Sequence, residues 1–255
     1  MKQLNDAQMN NMRYAGDVLS GALLAVKNAI REGVTTAELN QTAEDYIVKR
    51  NCIPAFKGLY GYQFCCNTSV NDEIIHGLPS QRTLREGDIV TVDCGVKYNG
   101  MNTDACRTFG VGKISKDAED LIDVTKKCFE MAFNAVKVGV DAGIVGRTIE
   151  GFLPGGYSVL HNFFGHGIGK VVHDDPLIAN YIPKEPDVKQ KLRVKFLMNT
   201  AICIEPMIIL GNDNQYYIDK DKWTVITKNG AISAHYENTI LFTKKGKEIL
   251  TNKYC

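Results

Sequence analysis

Tryptophan occurs once in this chain of 255 residues, and histidine is scarce enough that each one is a candidate for a special role. Proline numbers only seven, and no stretch is rich in Gly, Ser or Pro, which excludes a long flexible linker. No apolar run approaches the roughly 18 residues that a bilayer-spanning helix needs. The opening MKQLNDAQMNNMRYAG lacks the hydrophobic segment of a signal peptide. An excess of one charge is missing too. Thirty Lys and Arg face 29 Asp and Glu, a net +1, so nothing draws the chain toward nucleic acid or an anionic membrane. Eight cysteines (52, 65, 66, 94, 106, 128, 203 and 255) form no CxxC pair and no regular framework. In a chain long enough for one large core or two modest domains, they read as reduced, mostly buried thiols of a cytoplasmic protein.

What is present centres on GDIVTVDCGVKYNGMNTDACRTF, residues 87–109. Ile89 to Val92 are strand formers, and Asn99-Gly100 is a strong two-residue hairpin signal. Counting outward from the turn sets Met101 opposite Tyr98, Thr103 opposite Val96 and Asp104 opposite Gly95. Alternation then places Asp93 and Asp104 on one face, about 7–8 Å apart diagonally. That spacing is too wide for a shared proton and suits two carboxylates meeting on a cation, with Gly95 leaving the space between them open. The plain alternative is a structural hairpin salt-bridged to Arg107.

Around this hairpin the order of elements occurs twice. A helix over 5–31, ended by Gly33, is followed by a second helix that a Thr35/Glu38 capping box starts and that runs to about Arg50. The aromatic and glycine-rich stretch 54–80 contains a strand from Phe64 to Val70 and then His76, which is a structural or a functional histidine on local grounds. After the hairpin, an amphipathic helix spans 117–138 to Gly139, with a shorter one over 142–151. Strands follow over Lys195–Ile209, Trp223–Ile226 and Ser233–Thr243. Glu205 in AICIEPM matches Asp93 in IVTVDCG, and Glu237 in HYENTILF matches Asp104 in NTDACRTF, which suggests an internal duplication.

Between the two helices and the last strands lies HNFFGHGIGKVVHDDP. Its seven-residue separation of His166 and His173 is not that of a helical zinc-protease motif, and fits a strand–turn–strand aiming two imidazoles at one cavity. A Gly-rich loop with unrelated histidines is the alternative. Glu205 and Glu237 sit in apolar strands, either as site residues or as exposed edge positions. Taken together, Asp93, Asp104, Glu205, Glu237 and His166 would repel without cations, and two divalent ions would neutralise them. An oxygen-rich set with one nitrogen suits Mn, Fe, Co or Zn, and no cysteine is needed as a ligand.

NDEIIHG, VDCGVKYNGMNTDACRTF, GHGIGKVVHDDP, IEPM and HYENT occur in the order and at the spacings of the type I methionine aminopeptidases, and the chain resembles that family over nearly its whole length. The resemblance implies an α+β pita-bread fold: one domain over 1–255, with pseudo-symmetric halves 1–112 and 113–255 around a central antiparallel sheet covered by helices. It implies a metallo-exopeptidase that removes the initiator methionine of nascent chains with a water bridged by two divalent ions. The ligands would be Asp93, Asp104, His166, Glu205 and Glu237, with Asp104 and Glu237 bridging. Glu205 would also be the general base, His173 would stabilise the oxyanion, and His76 would bond the substrate backbone. Tyr62 and Trp223 would line the methionine pocket, or else be ordinary core aromatics. Leu59, Val172 and His235 stand where Tyr, Phe and Gln are common in the family, and Phe56 stands where Cys is frequent. Only 31 residues separate His173 from Glu205, too few for the insert of type II enzymes. The lack of a Cys/His cluster before residue 50 likewise favours the compact form, and Lys184 to Lys195 reads as a charged surface loop. The implied partners are nascent peptides at the ribosome, with no nucleic acid, no membrane and a monomeric state. An X-Pro peptidase or a non-catalytic peptide-binding module of the same fold are the competing readings.

Overall fold

The computed structural model describes residues 2–254. The first helix, Asp6–Ala29, is shorter than expected at both ends. A capping box of Asn5 and Gln8 starts it, and an extended Ile30 stops it before Gly33 is reached. The second, Thr36–Val48, starts at the expected box: Thr35 N–H donates to Glu38 at 2.8 Å and Glu38 N–H to Thr35 Oγ1 at 3.2 Å. Helices Lys116–Ala135 and Ile144–Phe152 follow later. A fifth, Pro186–Lys191, lies inside the stretch read as a loop. Proline at its first position, where no N–H partner is needed, supports that start.

The hairpin pairs in the counted register. Strand Ile89–Tyr98 runs antiparallel to Met101–Gly110, with Tyr98 opposite Met101, Val96 opposite Thr103 and Gly95 opposite Asp104. Asn99 and Gly100 both take positive φ, 45° and 77°, as this tight turn requires. The hairpin belongs to a nine-stranded antiparallel sheet. Its central run is Ile89–Tyr98, Met101–Gly110, Glu237–Thr243, Thr200–Ile204, Phe164–Ile168 and Asp174–Ala179.

Two runs read as continuous strands are each broken. Lys195–Ile209 becomes Thr200–Ile204 in the large sheet and Met207–Leu210 in a three-stranded one. Ser233–Thr243 becomes Ser233–His235 in the small sheet and Glu237–Thr243 in the large. Pro206 has no N–H to continue a ladder, and Tyr236 N–H turns back to the Pro206 carbonyl at 3.3 Å. The chain thus changes sheets at both glutamates. The strand expected from Phe64 begins at Cys66, and the Trp223 strand at Val225.

One face of the sheet is apolar and helix-covered. Val90, Val92 and Cys94 pack with Leu19, Leu23 and Leu39 of the first two helices. Ile202, Ile204, Ile240 and Phe242 pack with Leu121, Phe129 and Ile149 of the second two. Period-two alternation then turns Asp93 to the opposite face. The seven cysteines from Cys52 to Cys203 are free and buried, and Cys255 lies outside the described residues. No described helix is long and apolar enough to cross a membrane.

Candidate metal centre

Adjacent strands of the large sheet each deliver one residue to a common point. In spatial order these are Asp93, Asp104, Glu237, Glu205 just past the end of its strand, and His166. Register fixes the neighbours: Cys106 lies opposite both Asp93 and Glu237, and Asn238 lies between Ala105 and Ile204. The glycines flanking His166 are set by close packing. A Cβ at Gly165 would lie 2.5 Å from the Cys203 carbonyl oxygen, and one at Gly167 would lie 2.0 Å from that of Asp175.

The donor set has no cationic partner among the described residues. Arg107 directs its guanidinium instead to the Glu237 carbonyl (2.6 Å), Asn238 Oδ1 (2.7 Å) and the Thr251 carbonyl (3.1 Å), and it stacks on Tyr236. The salt-bridged structural hairpin is therefore not what forms. Three carboxylate oxygens, Asp93 Oδ1, Asp104 Oδ1 and Glu237 Oε1, are buried without a hydrogen-bond partner. His166 Nδ1 lies 3.0 Å from the Gly167 carbonyl, which can only accept, so Nδ1 carries the proton. Its Nε2 lone pair then faces Glu205 Oε1 at 3.5 Å and Asp104 Oδ2 at 3.9 Å. Acceptors facing acceptors need a proton or a cation between them, and orphaned buried carboxylate oxygens have the same need. The residues present fit divalent metal.

Electrostatics agree. Burial pushes Asp93 up to about 7, opposed by the Asn67 amide that donates to its Oδ2 at 3.0 Å. Burial, then Glu237 and Asp93, push Asp104 well above the ordinary range. Glu205 is raised by burial, then by Asp104, and Glu237 by burial, then by Glu205. Burial presses His166 down to about 3 and His76 to about 4.

One expectation about the hairpin holds and one is corrected. Asp93 and Asp104 are the diagonal neighbours that the register predicts, Asp93 opposite Cys106 and Asp104 opposite Gly95. Gly95 does not hold open a metal space. A Cβ there would meet the Phe56 ring at 2.8 Å, so the glycine makes room for an aromatic wall. Cys203 enters the same knot, although no cysteine was expected there. Its Sγ lies within 4.8 Å of a ligand atom of Asp104, His166 and Glu237. Burial and the neighbouring Glu237 hold it as a neutral thiol, 3.7 Å from Thr239 Oγ1, so the carboxylates remain the charged donors.

The knot forms the floor of a cavity of about 320 Å³. His76, His173, Tyr62 and Trp223 line it together with the four acids and the His166 imidazole. His76 has φ 60° and meets Phe163 edge-on at 6.0 Å. A non-glycine residue held in that region is a strained position of the kind found at functional sites. His173 stands at the mouth, edge-on to His166 (4.5 Å) and stacked with Tyr60 (6.0 Å). Tyr62 donates to the Cys66 carbonyl at 3.0 Å and meets Trp223 edge-on at 5.0 Å. Phe56 and Val172 complete the apolar cluster beside them, with Leu59 partly buried against it. Asn67 and Tyr60 also line the cavity and were missed. Asn67, opposite Asp93 in the neighbouring strand, was within reach of a register argument, and Tyr60 belongs to the aromatic cluster of the 54–80 stretch without having been singled out as a site residue.

The sequence matches metallopeptidase family M24 over residues 10–244. It is 41% identical over 248 residues to the methionine aminopeptidase of Clostridium perfringens, covering 97% of each chain. Methionine aminopeptidase 1 of Bacillus subtilis is 35% identical over 249 residues, with 96% of each covered. Among solved structures, the methionine aminopeptidase of Thermotoga maritima superposes with a TM-score of 0.90 at 33% identity, covering 99% of this chain and 100% of that one. The prolidase of Pyrococcus furiosus shares the fold with a TM-score of 0.74 at 20% identity, and this chain spans 65% of it.

Proposed function

The chain belongs to the methionine aminopeptidases of metallopeptidase family M24, and from that premise we propose that Asp93, Asp104, His166, Glu205 and Glu237 hold two divalent ions, of Mn, Fe, Co or Zn, for removal of an N-terminal methionine. It is a metal-dependent hydrolase of peptide N-termini with the pita-bread fold. The observation that carries the site reading is the convergence of these residues from adjacent strands, with three carboxylate oxygens orphaned and no Lys or Arg side chain ion-paired to the acids among the described residues.

Divalent ions bound by this set supply neutralising charge, polarise a carbonyl and lower the pKa of bound water toward neutrality. The side chains do the rest. Glu205 takes up the proton that the attacking water loses and returns it to the leaving amine. His173, pressed below the ordinary histidine value by burial, is neutral and donates an N–H to the developing oxyanion. His76, also neutral, holds the substrate backbone beside the scissile amide. Tyr62 and Trp223 wall the space for the methionine side chain, and the apolar lining keeps bulk water from the floor. The same reading has the enzyme acting in the cytoplasm, as a monomer, on nascent chains near the ribosome. The absence of a membrane-crossing helix among the described residues and the near-zero net charge accord with it.

The test is metal analysis of the purified protein combined with cleavage of Met-Ala-type and X-Pro peptides. Bound divalent metal and selective release of methionine are expected. Preference for X-Pro peptides would overturn the substrate assignment, and full activity after exhaustive chelation would overturn the metal one.

A further inference from the structure

His235 is buried at 2% exposure, and neither of its ring nitrogens has a hydrogen-bond partner. Its backbone is fixed firmly. Its N–H donates to Thr108 Oγ1 at 2.9 Å, its carbonyl accepts from the same hydroxyl at 3.0 Å, and it pairs with Met207 across the small sheet. The ring, buried on this anchored backbone, lies with its Nε2 3.9 Å from Glu205 Oε2.

Glu205 needs such a neighbour. It stands where the chain leaves the large sheet, ahead of a proline, and its Oε1 is the oxygen nearer His166. At Asp93 the corresponding need is met by Asn67, whose amide donates to the outer oxygen at 3.0 Å. We propose that His235 is a positioning residue for Glu205: its imidazole offers Nε2–H to the outer carboxylate oxygen, as the Asn67 amide does for Asp93. Ionised by metal on its inner side, Glu205 draws that N–H in and is held in the orientation that ligation and proton transfer require. An amide at this position offers the same donor at similar reach, so imidazole and carboxamide are interchangeable here in chemistry if not in shape.

The proposal rests on the metal reading above, and the test separates the two. His235→Leu and His235→Gln are compared by calorimetric titration of the metal-free proteins with Mn²⁺ and by kcat and KM on a Met-Ala-Ser peptide. Leucine removes the donor, whereas glutamine keeps one. Loss of a partner that orients a metal ligand lowers affinity or turnover about 10–100-fold. His235→Leu should show that loss in Mn²⁺ affinity and in kcat with KM little changed, while His235→Gln recovers most of both. Should His235→Leu fail to fold, His235→Met fills the space without an N–H and replaces it in the comparison. Normal Mn²⁺ affinity and kcat in the leucine or methionine variant would overturn the proposal. So would a glutamine variant as impaired as the leucine one, since shape rather than hydrogen bonding would then matter. A wild-type protein that neither binds Mn²⁺ nor cleaves the peptide removes the metal reading itself.

Discussion

His166 points its Nε2 lone pair at Glu205 Oε1 across 3.5 Å, while its Nδ1–H is engaged by the Gly167 carbonyl. The pair is thus two acceptors awaiting something positive, and Asp104 stands in the same position relative to His166. Neutralising one acid should therefore have opposite effects with and without metal. Asp104→Asn or Glu205→Gln should abolish turnover and lower metal content, yet raise the melting temperature of the chelator-treated protein. Wild type should regain the advantage when divalent metal is added. Thermal melts with and without metal decide this. A lowered metal-free melting temperature in both variants would mean that the carboxylates are satisfied in some other way.

A pH dependence follows from the same knot. Asp93 is raised from 3.8 to about 7 in the folded protein, and Asp104, Glu205 and Glu237 are raised well above their usual range. A raised carboxyl keeps its proton folded and loses it unfolded, so metal-free stability falls as pH rises through that gap. His76, lowered from 6.5 to about 4, and His166 and His235, lowered to about 3, act in the opposite sense. Their stabilisation grows as pH rises from about 3 and is complete above about 6.5. Between pH 4 and 6.5 the two sets oppose each other, and above 6.5 only the carboxyls still titrate. The melting temperature of the metal-free protein should accordingly fall between pH 6.5 and 8, and saturating metal should flatten the fall. A flat metal-free profile over that range would refute the account.

Much of this knot was legible because a hairpin is local. Asn99-Gly100 fixes the register, and the register fixes which face Asp93 and Asp104 share. The role of Gly95 was not legible: its neighbour in space is Phe56, brought in by the segment before the sheet. The break at Pro206 follows from its missing N–H, whereas the one at Tyr236 rests on a bond to the Pro206 carbonyl from a distant segment, which apolar patterning does not encode. The extra turn at Pro186–Lys191 is short, exposed and highly charged, and gave no periodic signal. The sequence aimed His166 and His173 at one cavity and set His166 among the acids; that His235 meets Glu205 is instead a property of the closed sheet.

His173 offers the cleanest separation of chemistry from metal binding. It stands at the cavity mouth and makes no ion pair with the carboxylates among the described residues, while its ring meets His166 edge-on at 4.5 Å. His173→Ala should retain metal and fold normally, and lose about 10²–10³ in kcat, the typical loss of one oxyanion donor. Metal analysis and steady-state kinetics on the same preparation check it. An unchanged kcat with metal in place would remove the donor role.

Trp223 tests the pocket. It is half-buried, lines the cavity and meets Tyr62 edge-on at 5.0 Å, while Tyr62 is independently anchored to the Cys66 carbonyl. Trp223→Ala should therefore remove one wall and leave the other standing. Burying a methionine side chain fully is worth roughly 1.5–3 kcal/mol, and exposing part of it again should forfeit about half of that. At 1.4 kcal/mol per decade, this is about a 3- to 12-fold fall in kcat/KM on a Met-Ala peptide, appearing mainly in KM. Metal content should not change, because Trp223 touches none of the carboxylates' hydrogen bonds. The wider space should also narrow the gap between methionine and bulkier N-terminal residues such as phenylalanine. Measuring kcat/KM on Met-Ala and Phe-Ala peptides reads both effects at once. A variant that loses kcat with KM intact would place Trp223 with the catalytic groups rather than in the wall that holds the side chain.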